Sequence, residues 1–185
     1  MPRLLNTENS YGAPAVIVHW LSAAIIIGMF GLGYWMVDLD YYSSWYRRAP
    51  DIHKSVGMLF AIVFVFRLAL RIFSPEPAPV GGTPAWQTRI AHAVHRLFYV
   101  LIGCHLIAGY LISTADGRPI SVFGWFDVPA TITWIPAQED VAGDIHWYLA
   151  LSIMSLAGLH ALAALKHHFF DRDETLRRML GRNRE

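Results

Sequence analysis

An uncharged apolar stretch near the C-terminus constrains the fold of this chain more than any other part of its sequence. Between Asp144 and Lys166 there is no charged residue over about twenty positions. A helix of that length spans the hydrocarbon core of a bilayer, at about 1.5 Å rise per residue. The sequence therefore predicts a transmembrane helix here, and this helix carries two histidines, His146 and His160.

The spacing of these two histidines places their side chains on one face of the predicted helix. Fourteen residues separate them, and at about 100° per residue the second ring returns to within about 40° of the direction of the first. Along the helix axis the two rings lie roughly 21 Å apart. One imidazole near each side of the bilayer, on the same helix face, indicates two stacked metal centres.

Three further stretches have the same apolar character. The chain is 55% hydrophobic and 16% charged, whereas soluble domains are about 25% charged. The charge-free part of the second stretch is short, but Arg67 and Arg71 can extend their side chains to the membrane surface. The predicted helices cover residues 13–37, 53–73, 94–115 and 145–169. We therefore predict an all-α membrane protein, a four-transmembrane-helix bundle that forms a single domain over residues 1–185, with no cleaved signal peptide.

Two longer connectors separate the predicted helices. Residues 74–84 are rich in proline and glycine, which cannot continue a helix. Residues 116–143 are interrupted by glycines and prolines and contain Trp125, Phe126 and Trp134. Because aromatic side chains concentrate at the membrane–water interface, we expect this second connector to lie on the membrane surface.

Positive charges are distributed unequally between the two sides of the predicted bundle. Of the fifteen lysines and arginines, four lie on one side, at Arg47, Arg48, Lys54 and Arg118. The other side, which includes both termini, holds Arg3, Arg67, Arg71, Arg89, Arg96, Lys166, Arg172, Arg177, Arg178, Arg182 and Arg184. Since cytoplasmic loops carry the excess of lysine and arginine, the sequence predicts that both termini are cytoplasmic.

This orientation gives each of four histidines a depth in the membrane. His19 and His160 lie near the cytoplasmic side, and His53 and His146 lie near the outer side. Two facing imidazoles at one depth are the ligand set of a b-type haem, and the chain offers that set twice. Zinc is the rival metal, but it favours tetrahedral sites. The single cysteine, Cys104, excludes covalent haem attachment through a CxxCH motif.

The third helix carries three other histidines. His92 and His95 fall at the cytoplasmic interface, where quinone head groups or haem propionates would be. His105 falls near the middle of the bilayer, with no partner expected at its level. We interpret His105 as a polar contact, or as a partner of a propionate or water, and axial ligation is the alternative for it.

Further polar residues fall at the cytoplasmic ends of the second and fourth helices. Arg67 and Arg71 could pair with the propionates of the inner haem or with anionic lipid. His167 and His168 lie at the same level, at the end of the fourth helix. They are candidates for the quinone side of the protein, and simple interfacial histidines are the alternative.

Four motifs, taken together and in this order, resemble the bacterial cytochrome b561 family, whose members are four-helix di-haem b proteins of the inner membrane. The motifs are VHWL at His19, IHKSVG with FRLALRIF at His53, AHAVH at His92, and IHW with GLHALAALKHHFF at His146 and His160. The resemblance implies a multi-pass protein of the bacterial inner membrane that binds two haem b. It implies that His19, His53, His146 and His160 ligate the haem iron, and that ubiquinone binds near the inner haem with His167 as its contact.

Within the family, the chain is similar to stand-alone members of about its length, which include superoxide-oxidising enzymes. This resemblance implies an oxidoreductase that takes electrons from superoxide on the outer side, reduces ubiquinone and releases dioxygen. The outer loops are net acidic and would repel an anion. Lys54, together with Arg47 and Arg48, is the candidate local positive patch that attracts superoxide.

Two alternatives remain open at this point. The first is a non-enzymatic, quinol-linked cytochrome b subunit or electron carrier that serves a dehydrogenase, a hydrogenase or a periplasmic cytochrome, because an acidic outer surface suits a basic partner. The second is a haem-free transporter that uses its histidines as a proton relay. In each case membrane lipid surrounds the chain, and nothing in the sequence indicates nucleic-acid binding.

Overall fold

The computed structural model describes residues 5–181 of the chain, and four long helices dominate it. The helices are α1 (Ala13–Met36), α2 (Arg48–Phe73), α3 (Ala85–Thr114) and α4 (Gln138–Lys166), followed by a π-helical turn (His167–Asp171) and a short α5 (Thr175–Met179). All four long helices are long and apolar enough to cross a membrane, and most of their apolar surface is not covered by the chain itself. The predicted four-transmembrane-helix bundle is confirmed, while its description as a single domain stays a prediction.

Three of the four helices begin earlier than the sequence analysis predicts. The starts lie at Arg48 instead of 53, at Ala85 instead of 94 and at Gln138 instead of 145, whereas α1 agrees to within one residue. The charge-free runs mark only the part of each helix inside the hydrocarbon. Outside it a helix tolerates charges, and Glu139 and Asp140 in the first turn of α4 interact favourably with the helix dipole.

The connector between α3 and α4 contains a β-hairpin that the sequence analysis does not predict. Strands β1 (Ile120–Val122) and β2 (Phe126–Val128) pair antiparallel. Ser55 of α2 holds the hairpin, because its Oγ accepts a hydrogen bond of 3.1 Å from the Phe123 N–H and donates one of 3.4 Å to the Ser121 carbonyl. The hairpin therefore covers α2 two residues from His53. The three aromatic residues expected as interfacial anchors are all exposed, Trp125 at 73%, Phe126 at 44% and Trp134 at 74%.

Both ends of the described chain lie on one face of the bundle, which we call the terminal face; the opposite face, with β1 and β2, is the hairpin face. On the terminal face the Ala78 N–H donates to the Glu8 carbonyl at 2.6 Å. The Trp20 indole N–H donates to the Met179 carbonyl at 2.7 Å. The N-terminal segment, the α2–α3 connector and α5 are thus joined. Arg3, Arg182 and Arg184 of the predicted cytoplasmic charge set lie outside the described residues.

The buried core is a thin apolar layer in the middle of the bundle. Its centre consists of Phe60, Ile102 and Ile153. The side chains packed around this centre are Ile25, Ile26, Val63, Phe64, Phe98, Leu101 and Leu106. Ile153 lies midway between His146 and His160, seven residues and about 10 Å along the axis from each. The core therefore separates two levels of histidines.

Candidate metal centres

The first level of histidines lies near the hairpin face, where α2 faces α4. The ring centres of His53 and His146 are 6.3 Å apart, and the ring planes are inclined at 70°. Two imidazoles that bind one metal ion from opposite sides, with bonds of about 2 Å, have ring centres roughly 6 Å apart. The separation of this pair suits a single metal ion between the two rings.

The second level lies near the terminal face, where α1 faces α4. The ring centres of His19 and His160 are also 6.3 Å apart, with the planes inclined at 61°. The structure therefore brings together both pairs that depth in the membrane predicts. The same separation recurs although the two pairs involve different helices.

Helix α3 adds a third imidazole at each level. His95 lies 5.5 Å from His160 between ring centres, at an angle of 66°. His105 stacks on His146, with ring centres 3.7 Å apart and planes within 16° of parallel. The expectation that His105 has no partner at its level was therefore wrong. Because α4 begins at Gln138, His146 lies more than two turns inside that helix and reaches the depth of His105.

The hydrogen bonds at the hairpin-face level leave one nitrogen of each paired ring available to bind a metal. Nδ1 of His146 lies 3.1 Å from the His105 carbonyl oxygen, which can only accept, so Nδ1 carries the proton and Nε2 keeps its lone pair. Nδ1 of His53 is buried without a hydrogen-bond partner in residues 5–181. An unpaired buried nitrogen is costly, so this level fits a group that the protein chain does not itself supply.

Two glycines let neighbouring helices approach these rings closely. A Cβ atom at Gly33 of α1 would lie 3.1 Å from Cε1 of His53. A Cβ atom at Gly109 of α3 would lie 3.0 Å from Cε1 of His146. Sequence reasoning missed both residues. The position of Gly109 one helical turn after His105 is the only signal that pointed to it.

The terminal-face level contains an arginine in contact with one of its histidines. Nη2 of Arg67 lies 3.0 Å from Nδ1 of His19. A guanidinium only donates, so Nδ1 accepts here and the proton of His19 lies on Nε2. A histidine that binds a metal through Nε2 carries its proton on Nδ1 instead. Metal binding by His19 through Nε2 therefore requires Arg67 to release this nitrogen.

The other cationic candidate at this level is occupied by a carboxylate. Arg71 donates to Glu76 at 2.6 Å, and Nδ1 of His92 lies 3.1 Å from the same carboxylate. Burial alone raises the pKa of Glu76, but the hydrogen bond and charge of Arg71 and the nearby His92 outweigh it and lower this pKa below its usual range. Glu76 is thus a carboxylate that ties α2 to α3 on the terminal face.

The end of α4 forms a polar cluster with an adjacent cavity. Nδ1 of His167 lies 2.6 Å from Asp173 and 3.1 Å from Asp171. Burial alone raises the pKa of Asp173. The hydrogen bonds that its carboxylate accepts from Thr175 and His167 outweigh this effect, so the pKa lies below its usual range. A cavity of about 530 Å³ is lined by His168, Phe169, Arg172, Asp173 and Arg177. Of the predicted quinone-side residues, His168 faces this cavity, whereas His167 reaches it only through Asp173.

The predicted positive patch on the hairpin face is partly neutralised. Nζ of Lys54 lies 3.3 Å from the carboxylate of Asp51, one turn earlier on α2. Arg118 pairs with Asp116 at 2.6 Å. Arg47 and Arg48 are exposed, and among residues 5–181 neither forms an ion pair. The net charge near His53 therefore depends on the balance between Lys54 and Asp51.

Comparison with known proteins gives a consistent result. A family model described as Prokaryotic cytochrome b561 matches residues 10–182. The chain is 51% identical over 178 residues to Cytochrome b561 homolog 2 of Escherichia coli (strain K12), which covers 96% of this chain and 95% of that protein. It is 26% identical to Cytochrome b561 homolog 1 of the same organism, over 95% of this chain and 99% of that one. It is 29% identical to the Probable superoxide oxidase CybB of Yersinia pestis, over 96% and 99% of the two chains.

Proposed function

Because the chain belongs to the prokaryotic cytochrome b561 family of haem b electron-transfer proteins in the bacterial inner membrane, we propose that it binds two b haems and carries electrons across that membrane to the quinone pool. The observation that carries this proposal is the recurrence of one histidine separation, 6.3 Å, at two levels of the bundle. We assign the hairpin-face haem to His53 and His146, and the terminal-face haem to His19 and His160. Family membership argues against the haem-free transporter.

The side chains around each pair prepare it for this role. A haem ligated by two imidazoles supplies one-electron transfer and offers no open position on its iron. His146 is held in one tautomer by the His105 carbonyl, and the apolar layer at Phe60 and Ile153 excludes water between the two levels. If Arg67 were released from His19, its guanidinium would be placed to hold a haem propionate. Arg71, one turn further along α2, is already paired with Glu76.

We assign the terminal face to the cytoplasm, because it carries most of the lysines and arginines. The hairpin face is then periplasmic. A quinone reduced at the cytoplasmic level needs two protons, and the side chains suited to supply them lie there: His95 beside His160, and His167 with Asp173 at the cavity below α4. This placement favours His168 and Asp173 as contacts of the quinone, with His167 behind them.

The proposal is tested by the number of haems that the purified protein holds. We expect two b haems per chain, measured by the pyridine haemochrome method, and a reduced-minus-oxidised spectrum with b-type bands. The measurement is independent of any donor or quinone. A single haem per chain would refute one of the two pairs, and a chain without haem would refute the proposal as a whole.

For the electron donor we propose superoxide, with the periplasmic surface beside His53 as its site of approach. Two superoxide ions each lose one electron and become dioxygen, and one quinone takes up both electrons with two protons to become the quinol. Lys54 lies one residue from His53 and would attract the anion. The similarity to the Probable superoxide oxidase of Yersinia pestis supports this donor.

The balance between Lys54 and Asp51 gives this donor a specific test. Lys54→Glu is expected to lower superoxide-driven quinone reduction several-fold at low ionic strength, whereas Asp51→Asn is expected to raise it, because the local potential changes in opposite directions. Both effects are expected to shrink at high salt, since exposed charges are then screened. Arg89→Glu is the matched control, because Arg89 is exposed on the terminal face and forms no ion pair within residues 5–181. Equal rates for Lys54→Glu and Asp51→Asn at low salt would contradict a superoxide site beside His53.

A second candidate function follows from the acidic periplasmic surface. Asp38, Asp40 and Asp144 are exposed there, and the paired Asp51 and Asp116 offset Lys54 and Arg118. Such a surface suits a basic redox partner, for which the chain would be an electron carrier and not an enzyme. A purified di-haem protein that shows no superoxide-driven quinone reduction above the uncatalysed rate would favour this carrier.

A further inference from the structure

The imidazole of His146 is joined to His105 by contacts that no other paired histidine has. Nδ1 of His105 lies 3.2 Å from the His146 carbonyl, and Nδ1 of His146 lies 3.1 Å from the His105 carbonyl. Carbonyl oxygens only accept, so each ring donates to the backbone of the other residue. The two rings also stack at 3.7 Å. The bonds and the stack together fix both the tautomer of His146 and the plane of its ring.

Helix α3 closes the remaining side of the same ring. A Cβ atom at Gly109 would lie 3.0 Å from Cε1 and 3.3 Å from Nδ1 of His146, which is tighter than most Cβ contacts in proteins. The ring edge therefore rests against the α3 backbone, and a larger residue at position 109 would force the ring to shift. The stacked ring of His105 and the backbone at Gly109 form a slot for the imidazole of His146.

The terminal-face level has a histidine from α3 but no slot. The ring of His95 is inclined at 66° to that of His160, with centres 5.5 Å apart, so the two do not stack. Within residues 5–181, the ring of His160 forms no hydrogen bond, whereas His19 contacts Arg67. The third imidazole therefore has a different relation to α4 at each level, and His95 provides a matched comparison for His105.

We propose that His105 is a positioning residue for the hairpin-face haem, which fixes the ring plane of His146 and so sets the angle between the two axial imidazoles. The proposal rests on ligation of that haem by His53 and His146, as proposed above. Two parallel rings 3.7 Å apart cannot both occupy one axial position, so His105 acts through His146 and does not replace it.

The angle between axial imidazoles has a spectroscopic signature that does not depend on catalysis. In low-spin ferric haem, parallel ligand planes separate the energies of two iron d orbitals, whereas planes close to perpendicular leave them nearly equal. The second arrangement gives an electron paramagnetic resonance signal of high anisotropy. The angle of 70° between His53 and His146 predicts such a signal for the hairpin-face haem.

The test compares substitutions of the two α3 histidines in the purified, oxidised di-haem protein. His105→Leu removes the stack and one hydrogen bond, and we expect the largest g value of the hairpin-face signal to shift and its line to broaden. His105→Phe keeps an aromatic ring in the stack and is expected to restore most of the wild-type signal. His95→Leu is expected to leave the hairpin-face signal unchanged. Haem content is measured for every variant and is expected to remain at two per chain.

The outcomes separate this inference from the proposed function. Two haems per chain with a wild-type signal in His105→Leu would overturn the positioning role, while leaving the di-haem proposal intact. A wild-type protein with fewer than two haems would instead refute the assignment on which the inference rests. If His105→Leu does not fold, Gly109→Ala provides the second variant, because the added Cβ must displace the His146 ring, and an unshifted signal in it also contradicts the slot.

Discussion

Replacement of His146 by alanine is expected to remove the hairpin-face haem and to halve the haem content of the protein. His146 and His53 face each other at 6.3 Å between ring centres, and one imidazole alone leaves the opposite axial position without a protein ligand. His53→Ala is expected to have the same effect. The measurement is haem per chain, together with the height of the b-type band in the reduced-minus-oxidised spectrum.

His92→Ala is the control for this loss, because His92 contacts Glu76 and lies outside both pairs. It is expected to retain two haems. Retention of both haems in His146→Ala would mean either that the ligand assignment is wrong or that the neighbouring His105 replaces the lost ligand. The double variant His105→Ala with His146→Ala separates these possibilities, since it leaves no imidazole from α3 or α4 at that level.

Replacement of His160 by alanine is expected to reduce quinone reduction to the uncatalysed rate while preserving the hairpin-face haem. The two levels are separated by fourteen residues of α4 and by the apolar core, or roughly 21 Å along the axis. Without the terminal-face haem, no redox centre lies between the hairpin-face haem and the quinone. The assay uses whichever donor drives the wild-type protein, and the electron paramagnetic resonance signal of the hairpin-face haem is recorded in parallel.

The control for this variant is His95→Ala, which changes a histidine at the same level without removing either assigned ligand. It is expected to retain both haems and a measurable rate. A His160→Ala protein that has lost one haem yet reduces quinone at the wild-type rate would refute the proposed order of the two centres. In that case the quinone would have to bind near the hairpin face.

The transmembrane helices and the levels of their histidines were predictable because bilayer thickness and helix geometry act along a single chain. A charge-free run of about twenty residues has few alternatives to a spanning helix. The spacing of His146 and His160 then follows from about 100° and 1.5 Å per residue. Helix starts were predicted too late, because charged residues such as Arg48 and Glu139 extend a helix beyond the hydrocarbon.

The surroundings of each ring were not predictable, because they depend on how neighbouring helices are rotated and aligned. The stack of His105 on His146 requires the level of α3 relative to α4, which neither helix specifies alone. The contact of Arg67 with His19 likewise depends on the rotation of α2 against α1. Gly33 and Gly109 matter only because a ring from another helix lies against them.

Four membrane crossings and two levels of paired histidines follow from the sequence alone, since periodicity and hydropathy are properties of each segment. The common separation of 6.3 Å within the pairs His53–His146 and His19–His160 is visible only in the tertiary structure. It alone showed that α3 holds one ring of the first pair in a slot. Such contacts arise from packing between segments far apart in sequence, and no local pattern encodes the rotation that brings them together.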